Sequence, residues 1–297
     1  MGGKHVEREI GIVGLGIMGG AMARNLVAAG WRVAGYDPDQ AAVAASAAAG
    51  VSIQPDVGAL ARAMPVLMTS LPTAGSLHET AAAIVRAGAP GRVVIEASTM
   101  ALEDKLAFAA TLQQGGHTAL DCPISGTGAQ AVHKDLVVYA SGPAGEIEAL
   151  QPCFAAFARA AHNLGAYGNG SRMKFVANLL VAIHNVASAE AMVLGMKAGL
   201  DPHQIVELVT AGVGTSRVFE LRAPMMADDS YDKATMKVST WQKDMAVIGA
   251  FAASVGAPTP LLSATAPIYD RAMAAGLGAA DTASVCRVME GMAGVLR

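Results

Sequence analysis

The feature that most constrains the fold is Gly14-Leu15-Gly16-Ile17-Met18-Gly19, set between the apolar run Ile10 to Val13 and the alanine-rich stretch Met18 to Ala29. An extended run, a glycine turn and a helix in that order form the first part of a strand-helix-strand crossover, and such crossovers build parallel sheets. The spacing gives the glycines separate tasks. Gly14 makes the tight turn, Gly16 bares the backbone at the helix start, and Gly19 lets the helix pack closely on the strand. Exposed N–H groups at a helix N-terminus favour negative charge, so the loop that includes Ile17 and Met18 suits a pyrophosphate.

The next strand, Arg32 to Tyr36, ends at Asp37, about 20 residues past Gly16, where a carboxylate accepts hydrogen bonds from adenosine ribose hydroxyls. A 2′-phosphate would meet the negative charge of Asp37, and Pro38-Asp39-Gln40 supplies no Arg or Lys to offset it. The expected cofactor is therefore NAD rather than NADP. Further β-rich runs follow at Val66 to Thr69, Arg92 to Glu96, Thr118 to Asp121 and Leu136 to Ala140. Helical runs such as Ala74 to Ala87 and Glu103 to Gln113 lie between them. This alternation predicts an α/β fold with a Rossmann-type doubly wound parallel sheet over residues 1–165, helices on both faces.

From residue 166 to 297 the β-rich runs stop, and Ser171 to Ala198, His203 to Ala211, Val238 to Val255 and Leu261 to Ala275 carry helical apolar spacing. An all-helical C-terminal domain is expected. Several of these helices are apolar nearly all round, which points to burial between subunits and hence to a homodimer or homotetramer. The longest apolar stretch, Phe175 to Ala187, is interrupted by Asn178, His184 and Asn185 and reads as a buried helix rather than a membrane span.

With 297 residues, 53% apolar and 15% charged, the chain has the makings of two compact cores. A net charge of −3 without a Lys/Arg cluster offers no field to hold a nucleic acid. The polar stretch Met1 to Glu9 lacks the apolar core of an export signal, and Cys122, Cys153 and Cys286 lack metal or redox spacing. Core thiols and a cytoplasmic location are expected. The seven histidines form no metal-ligand pattern, so no metal is expected.

Residues Gly14 to Leu26 resemble the opening signature of the β-hydroxyacid dehydrogenases, the family of 3-hydroxyisobutyrate dehydrogenase and tartronate semialdehyde reductase. The resemblance runs along nearly the whole chain. Leu71-Pro72 and Ser98-Thr99 fall where family members line the cofactor. Asp121-Cys122-Pro123-Ile124-Ser125-Gly126-Thr127-Gly128 is similar to the family's D-x-P-[VI]-S-G-G substrate loop, with Thr127 in place of the second glycine. A hydroxyl on Ser125 and a bare backbone at Gly126 could hold a carboxylate without a buried cation.

Gly168-Asn169-Gly170-Ser171-Arg172-Met173-Lys174-Phe175-Val176-Ala177-Asn178 resembles G-x-G-x-x-x-K-x-x-N-N, whose lysine is the family's catalytic residue; Ala177 replaces the first Asn. At 100° per residue, Lys174, Asn178 and Asn185 share one stripe of an otherwise apolar helix, where a lysine is costly to bury without a purpose. Lys243-Asp244-Met245 resembles a K-D-L segment whose lysine approaches cofactor and substrate.

These likenesses imply an enzyme that transfers a hydride between NAD and a small 3-hydroxy acid such as 3-hydroxyisobutyrate, or its semialdehyde. Lys174 would carry the proton, Asn178 would hold the lysine or the reacting oxygen, and the Ser125-Gly126-Thr127 loop would fix the substrate carboxylate. Two other readings stand beside it: a reductase of a small semialdehyde such as tartronate semialdehyde, and a catalytically silent dinucleotide-binding protein. Retention of Lys174, Asn178 and the carboxylate loop argues against the silent form. An imine reductase is disfavoured because such relatives generally replace the lysine.

Overall fold

The structure is a computed structural model, described over residues 8–295. Most of the polar leader, residues 1–7, lies outside the described residues. The chain divides into two compact units, Met1–Lys174 and Phe175–Arg297.

The first unit runs β1 (Glu9–Val13), α1 (Ile17–Ala28), β2 (Arg32–Tyr36), α2 (Gln40–Ala48), β3 (Ser52–Ile53), α3 (Val57–Ala63), β4 (Val66–Thr69), α4 (Ala74–Arg86), β5 (Val93–Glu96), α5 (Leu102–Gln114) and β6 (Thr118–Asp121). After β6 come β7 (Ile124–Ser125), α6 (Gly128–Val132), β8 (Val137–Ala140), α7 (Ala144–Ala149), α8 (Gln151–Phe157) and β9 (Ala160–Asn163). Six strands form a parallel sheet in the order β3-β2-β1-β4-β5-β6. The order reverses direction between β1 and β4, and the crevice beyond the carboxyl ends of the strands at such a switch point is where α/β sheets bind ligands.

Strand alternation explains the two buried layers. Ile10, Ile12 and Met68 face one core with Met22 and Leu26 of α1, while Val13, Leu67 and Val94 face the other with Leu77 of α4 and Phe108 of α5. Both faces are apolar, as expected for a parallel sheet covered by helices on each side.

One expected strand lies elsewhere. Leu136 to Ala140 does not join the main sheet; its ordered part, β8, pairs antiparallel with β7 and parallel with β9 in a separate three-stranded sheet. The chain turns back after β6 through Pro123 and Gly126, so the next hydrogen-bonding partner is a local one. The sixth position of the main sheet belongs to β3, whose two residues are too short for an alternation pattern.

The second unit contains most of α9 (Asn169–Lys197), followed by α10 (Pro202–Ala211), α11 (Arg217–Ala227), α12 (Val238–Ser254), α13 (Pro260–Ala274) and α14 (Val285–Ala293). Within it, the Phe175 and Phe251 rings pack with centroids 5.0 Å apart. Asn185 of α9 donates to the Tyr269 hydroxyl and to the Thr282 carbonyl, each at 2.9 Å. Buried Asp281 accepts hydrogen bonds from the Thr235, Met236 and Ala283 N–H groups, which fixes the loop leading into α12. Helix α9 is, among the described residues, one helix long and apolar enough by length and composition to cross a membrane.

Candidate active site

The nucleotide side of the site is built at the carboxyl ends of β1, β2, β4 and β5, all in the first unit. Gly14 has φ +92°, a backbone that L side chains rarely adopt, and a Cβ there would lie 2.2 Å from the Ser70 carbonyl oxygen. A Cβ on Gly19 would lie 1.8 Å from the Gly14 oxygen, so helix and turn approach too closely for any side chain. Gly16 differs. Nothing in the chain lies within 4 Å of a Cβ placed there, so its missing side chain leaves open room beside the helix start. That cradle fits a pyrophosphate, and Ile17 stands exposed next to it while Met18 is half-buried.

Asp37 is held against this loop. Its carboxylate accepts the Leu15 N–H at 2.6 Å through Oδ2 and the Asp39 N–H at 2.8 Å through Oδ1. An ionised carboxylate offers about four lone-pair sites, so these two bonds orient it and leave capacity for ribose hydroxyls. On the other side of the switch point, the Leu71 N–H donates to Ser98 Oγ at 2.8 Å, tying the turn after β4 to the turn after β5. Ser98 is buried, Leu71 and Thr99 are half-buried, and Pro72 is exposed.

The loop expected to hold the substrate carboxylate begins where β6 ends. Ser125 is paired to Val137 in the small sheet, and Gly126 takes φ +135° with Leu136 against it. A Cβ on Gly128 would lie 2.4 Å from Ile17 Cγ2, so the loop packs on the residue that follows Gly16. Thr127 sits in extended backbone with φ −109°, which explains how a non-glycine residue is accommodated there. Its N–H donates to Gln130 Oε1 at 3.1 Å, and its hydroxyl lies 3.4 Å from the same oxygen. Asn25, in the opening signature, supports the loop from behind by donating to the Ala131 carbonyl at 2.7 Å.

Lys174 closes the first unit and is 7% exposed. The helix start that carries it is pinned to β6. The Ser171 N–H donates to Asp121 Oδ2 and the Ser171 hydroxyl to Oδ1, both at 2.8 Å, while the Gly170 N–H donates to Ser141 Oγ at 2.9 Å. A Cβ on Gly170 would meet the Tyr139 oxygen at 2.3 Å, so the second glycine of the G-x-G motif permits this close seating.

In the second unit, one turn along the same helix, buried Asn178 donates through Nδ2 to Asp244 Oδ2 at 3.3 Å. The Lys243 ammonium lies 3.3 Å from Asp244 Oδ1. Asp244, 4% exposed, thus orients both polar groups, a role that the K-D-L likeness did not assign. Asn185, the third polar residue of the stripe, is occupied by Tyr269 and Thr282. Burial, opposed by the Asn185 hydrogen bond, pushes the Tyr269 hydroxyl up to about 12, so it stays protonated at neutral pH.

Burial likewise raises the Cys122 and Cys153 thiols, leaving neither as a nucleophile, and Cys286 is buried too. Among the described residues no group of three or more His, Cys, Asp or Glu is placed to hold a metal.

Residues 9–168 match the family model of the NAD binding domain of 6-phosphogluconate dehydrogenase. Residues 168–289 match that of the NAD-binding region of NADP-dependent 3-hydroxyisobutyrate dehydrogenase. The chain is 30% identical to an L-threonate dehydrogenase from Cupriavidus necator over 97% of this chain and 98% of that one. It is 28% identical to a 2-(hydroxymethyl)glutarate dehydrogenase from Eubacterium barkeri over 97% of this chain and 96% of that one. The crystal structure of a 3-hydroxyisobutyrate dehydrogenase from Salmonella typhimurium superposes with a TM-score of 0.86 at 29% identity, covering 94% of this chain and 99% of that one. Cradle, carboxylate loop, buried lysine and these likenesses agree: the chain belongs to the β-hydroxyacid dehydrogenase family and is an oxidoreductase dependent on a nicotinamide dinucleotide.

Proposed function

We propose that the chain oxidises a small 3-hydroxy acid of the 3-hydroxyisobutyrate type with NAD, or reduces the corresponding semialdehyde. The observation that carries this reading is the buried Lys174 on a helix whose start is bonded to Asp121, the residue from which the carboxylate loop departs. The nicotinamide ring, when bound, supplies the hydride acceptor or donor. Lys174 Nζ takes the substrate hydroxyl proton during oxidation and returns one to the oxygen during reduction. Ser125, Gly126 and Thr127 hold the substrate carboxylate, which places its C3 hydroxyl group and denies it rotation. Asn178, oriented by Asp244, holds the lysine or the reacting oxygen, and Lys243 assists on the substrate and cofactor side. A polyhydroxylated acid is the second reading, supported by the name of the Cupriavidus necator relative.

For the cofactor, the orientation of Asp37 supports NAD. Its carboxylate favours two ribose hydroxyls and repels a 2′-phosphate, and no cation follows it in Pro38-Asp39-Gln40. We further propose a cytoplasmic homodimer or homotetramer that binds neither nucleic acid nor membrane. Exposed Leu194 and Leu208 on helices of the second unit support an apolar surface covered by another copy.

The test is an initial-rate survey of 3-hydroxyisobutyrate, L-threonate, glycerate and L-serine with each dinucleotide. At least one acid is expected to turn over, with kcat/KM for NAD exceeding that for NADP by about tenfold or more, ~1.4 kcal/mol. Asp37→Ala narrows the ratio. Equal or better turnover with NADP in the unmodified chain contradicts the cofactor assignment, and no turnover of any acid contradicts the substrate class.

A further inference from the structure

Beneath the carboxyl ends of β5 and β6 lies a side chain that the proposed mechanism does not use. Lys105, on the first turn of α5, is completely buried. Its ammonium lies 2.5 Å from Glu96 Oε2, 2.6 Å from Asp121 Oδ1 and 3.0 Å from the Ser98 carbonyl oxygen. Three donors meet three acceptors, so the ammonium is fully satisfied. Both carboxylates are themselves completely buried. Burial alone would disfavour the charged lysine, but Glu96 and Asp121 outweigh it and raise its proton affinity above the ordinary value, so it remains a cation across the physiological range. Buried ion clusters contribute little net stability compared with apolar side chains of similar volume. Their use lies in fixing geometry, and here the geometry leads outward in two directions.

Through Glu96, whose Oε1 accepts the Ser98 N–H at 2.8 Å, and through the Ser98 carbonyl, the cation fixes the turn after β5. Ser98 Oγ then holds the Leu71 N–H, so both turns assigned to the cofactor are anchored to one ammonium. Through Asp121 the cation reaches the other direction. The same carboxylate accepts the N–H and hydroxyl of Ser171, three residues before Lys174, and it stands at the root of the Ser125 loop. The Tyr167 hydroxyl, on the segment leading into α9, donates to the Lys105 carbonyl at 3.0 Å.

We propose that Lys105 is a positioning residue for the reaction, setting the cofactor turns, the carboxylate loop and the start of the Lys174 helix relative to one another through Glu96 and Asp121. This inference rests on the functional reading above for its catalytic branch only; the cofactor branch follows from the dinucleotide fold.

The test compares the double variant Lys105→Met with Glu96→Gln, Ser171→Ala, and the unmodified chain by thermal melting, NADH fluorescence titration and steady-state kinetics on the best acid. The double variant removes one cation and one anion together, so the buried net charge is unchanged, but Asp121 loses its cation and the melting temperature falls; binding and kinetics are therefore measured at a temperature where every variant is folded. In the double variant NADH Kd rises about tenfold, and kcat falls about 10²-fold, the scale of a 1 Å misplacement of reacting groups. Ser171→Ala, which removes the hydroxyl bond to Asp121 Oδ1 and keeps the N–H bond to Oδ2, weakens only the branch to the lysine helix, lowers kcat about tenfold and leaves NADH Kd unchanged. A folded double variant with Kd and kcat both within twofold of the unmodified chain overturns the proposal. Losses that disappear when each variant is measured well below its own melting temperature overturn it as well. If the double variant does not fold, Ser171→Ala decides, and unchanged kcat is then the contrary result. If the unmodified chain turns over no acid, the functional reading fails, while NADH Kd in the double variant still decides the cofactor branch.

Discussion

Lys174→Met is expected to lower kcat by about 10²–10⁴-fold, the usual contribution of a positioned acid or base, while NADH affinity changes little. Methionine keeps an unbranched stem of similar length, so the buried position stays filled, but it has no proton to exchange and no charge. The cofactor fingerprint at Gly14 to Gly19 and Asp37 lies on other elements, which is why binding and turnover separate. The pattern of the kinetic loss matters as much as its size. A group that acts only in the transition state lowers kcat and kcat/KM together, whereas a lysine that merely attracts the substrate carboxylate raises KM at constant kcat. NADH titration and thermal melting on the same preparation identify the outcome in which Lys174 supports folding instead.

Asp281→Asn is expected to destabilise the fold strongly. Asp281 and Arg222 are both buried, with Arg222 Nε 3.5 Å from Asp281 Oδ1. Asp281 Oδ2 also takes the Thr235 N–H at 2.7 Å and the Thr235 hydroxyl at 2.8 Å. Asparagine removes the charge, leaves a buried guanidinium without its counter-ion, and turns an N–H group toward the Thr235 and Met236 donors. Breaking one partner of a buried pair costs about 3–5 kcal/mol. For a unit of this size the melting temperature falls on the order of 10 °C.

The pH dependence has a definite sign. Burial acts to raise the Asp281 carboxyl, but the Arg222 guanidinium and the Ala283 and Thr235 hydrogen bonds outweigh it and hold the group below its ordinary 3.8. A carboxyl depressed by folding stabilises the fold above its unfolded value, and that contribution is lost as pH falls through the folded value. The melting gap between the unmodified chain and Asp281→Asn is therefore full at neutral pH and closes as pH falls below about 3.8. A gap independent of pH would assign the loss to packing instead.

What could be read from the sequence was local, and what could not was held together across distance. Arg32–Tyr36, Val66–Thr69 and Thr118–Asp121 occur with the limits their β-rich runs suggest, because each run is apolar and bounded by turn residues. Ser52–Ile53 is too short to signal itself, and nothing in Leu136 to Ala140 says which sheet it joins. The fingerprint glycines and Asp37 announce themselves because backbone geometry dictates residue type there. Lys105 does not: in Glu103-Asp104-Lys105 it looks like part of a solvated helix face, while its partners Glu96 and Asp121 come from two neighbouring strands. A signal was nevertheless present. Glu96 and Asp121 end strands that are otherwise largely apolar, and a carboxylate in such a place needs a buried partner. Asp244 escaped notice for a similar reason, since its partner Asn178 lies on a different helix.

In the proposed reaction a hydride passes directly between the carbinol carbon of a 3-hydroxy acid and the nicotinamide, with Lys174 taking the proton. The most direct measurement uses 3-hydroxyisobutyrate carrying deuterium on its hydroxymethyl carbon, with NAD in ordinary water, and locates the label in the reduced nucleotide by mass spectrometry and NMR. Direct transfer places one deuterium at nicotinamide C4 per turnover, with a slowed hydride step relative to the unlabelled acid and no label released to solvent. Reduced nucleotide without deuterium, or deuterium appearing in water, would contradict it.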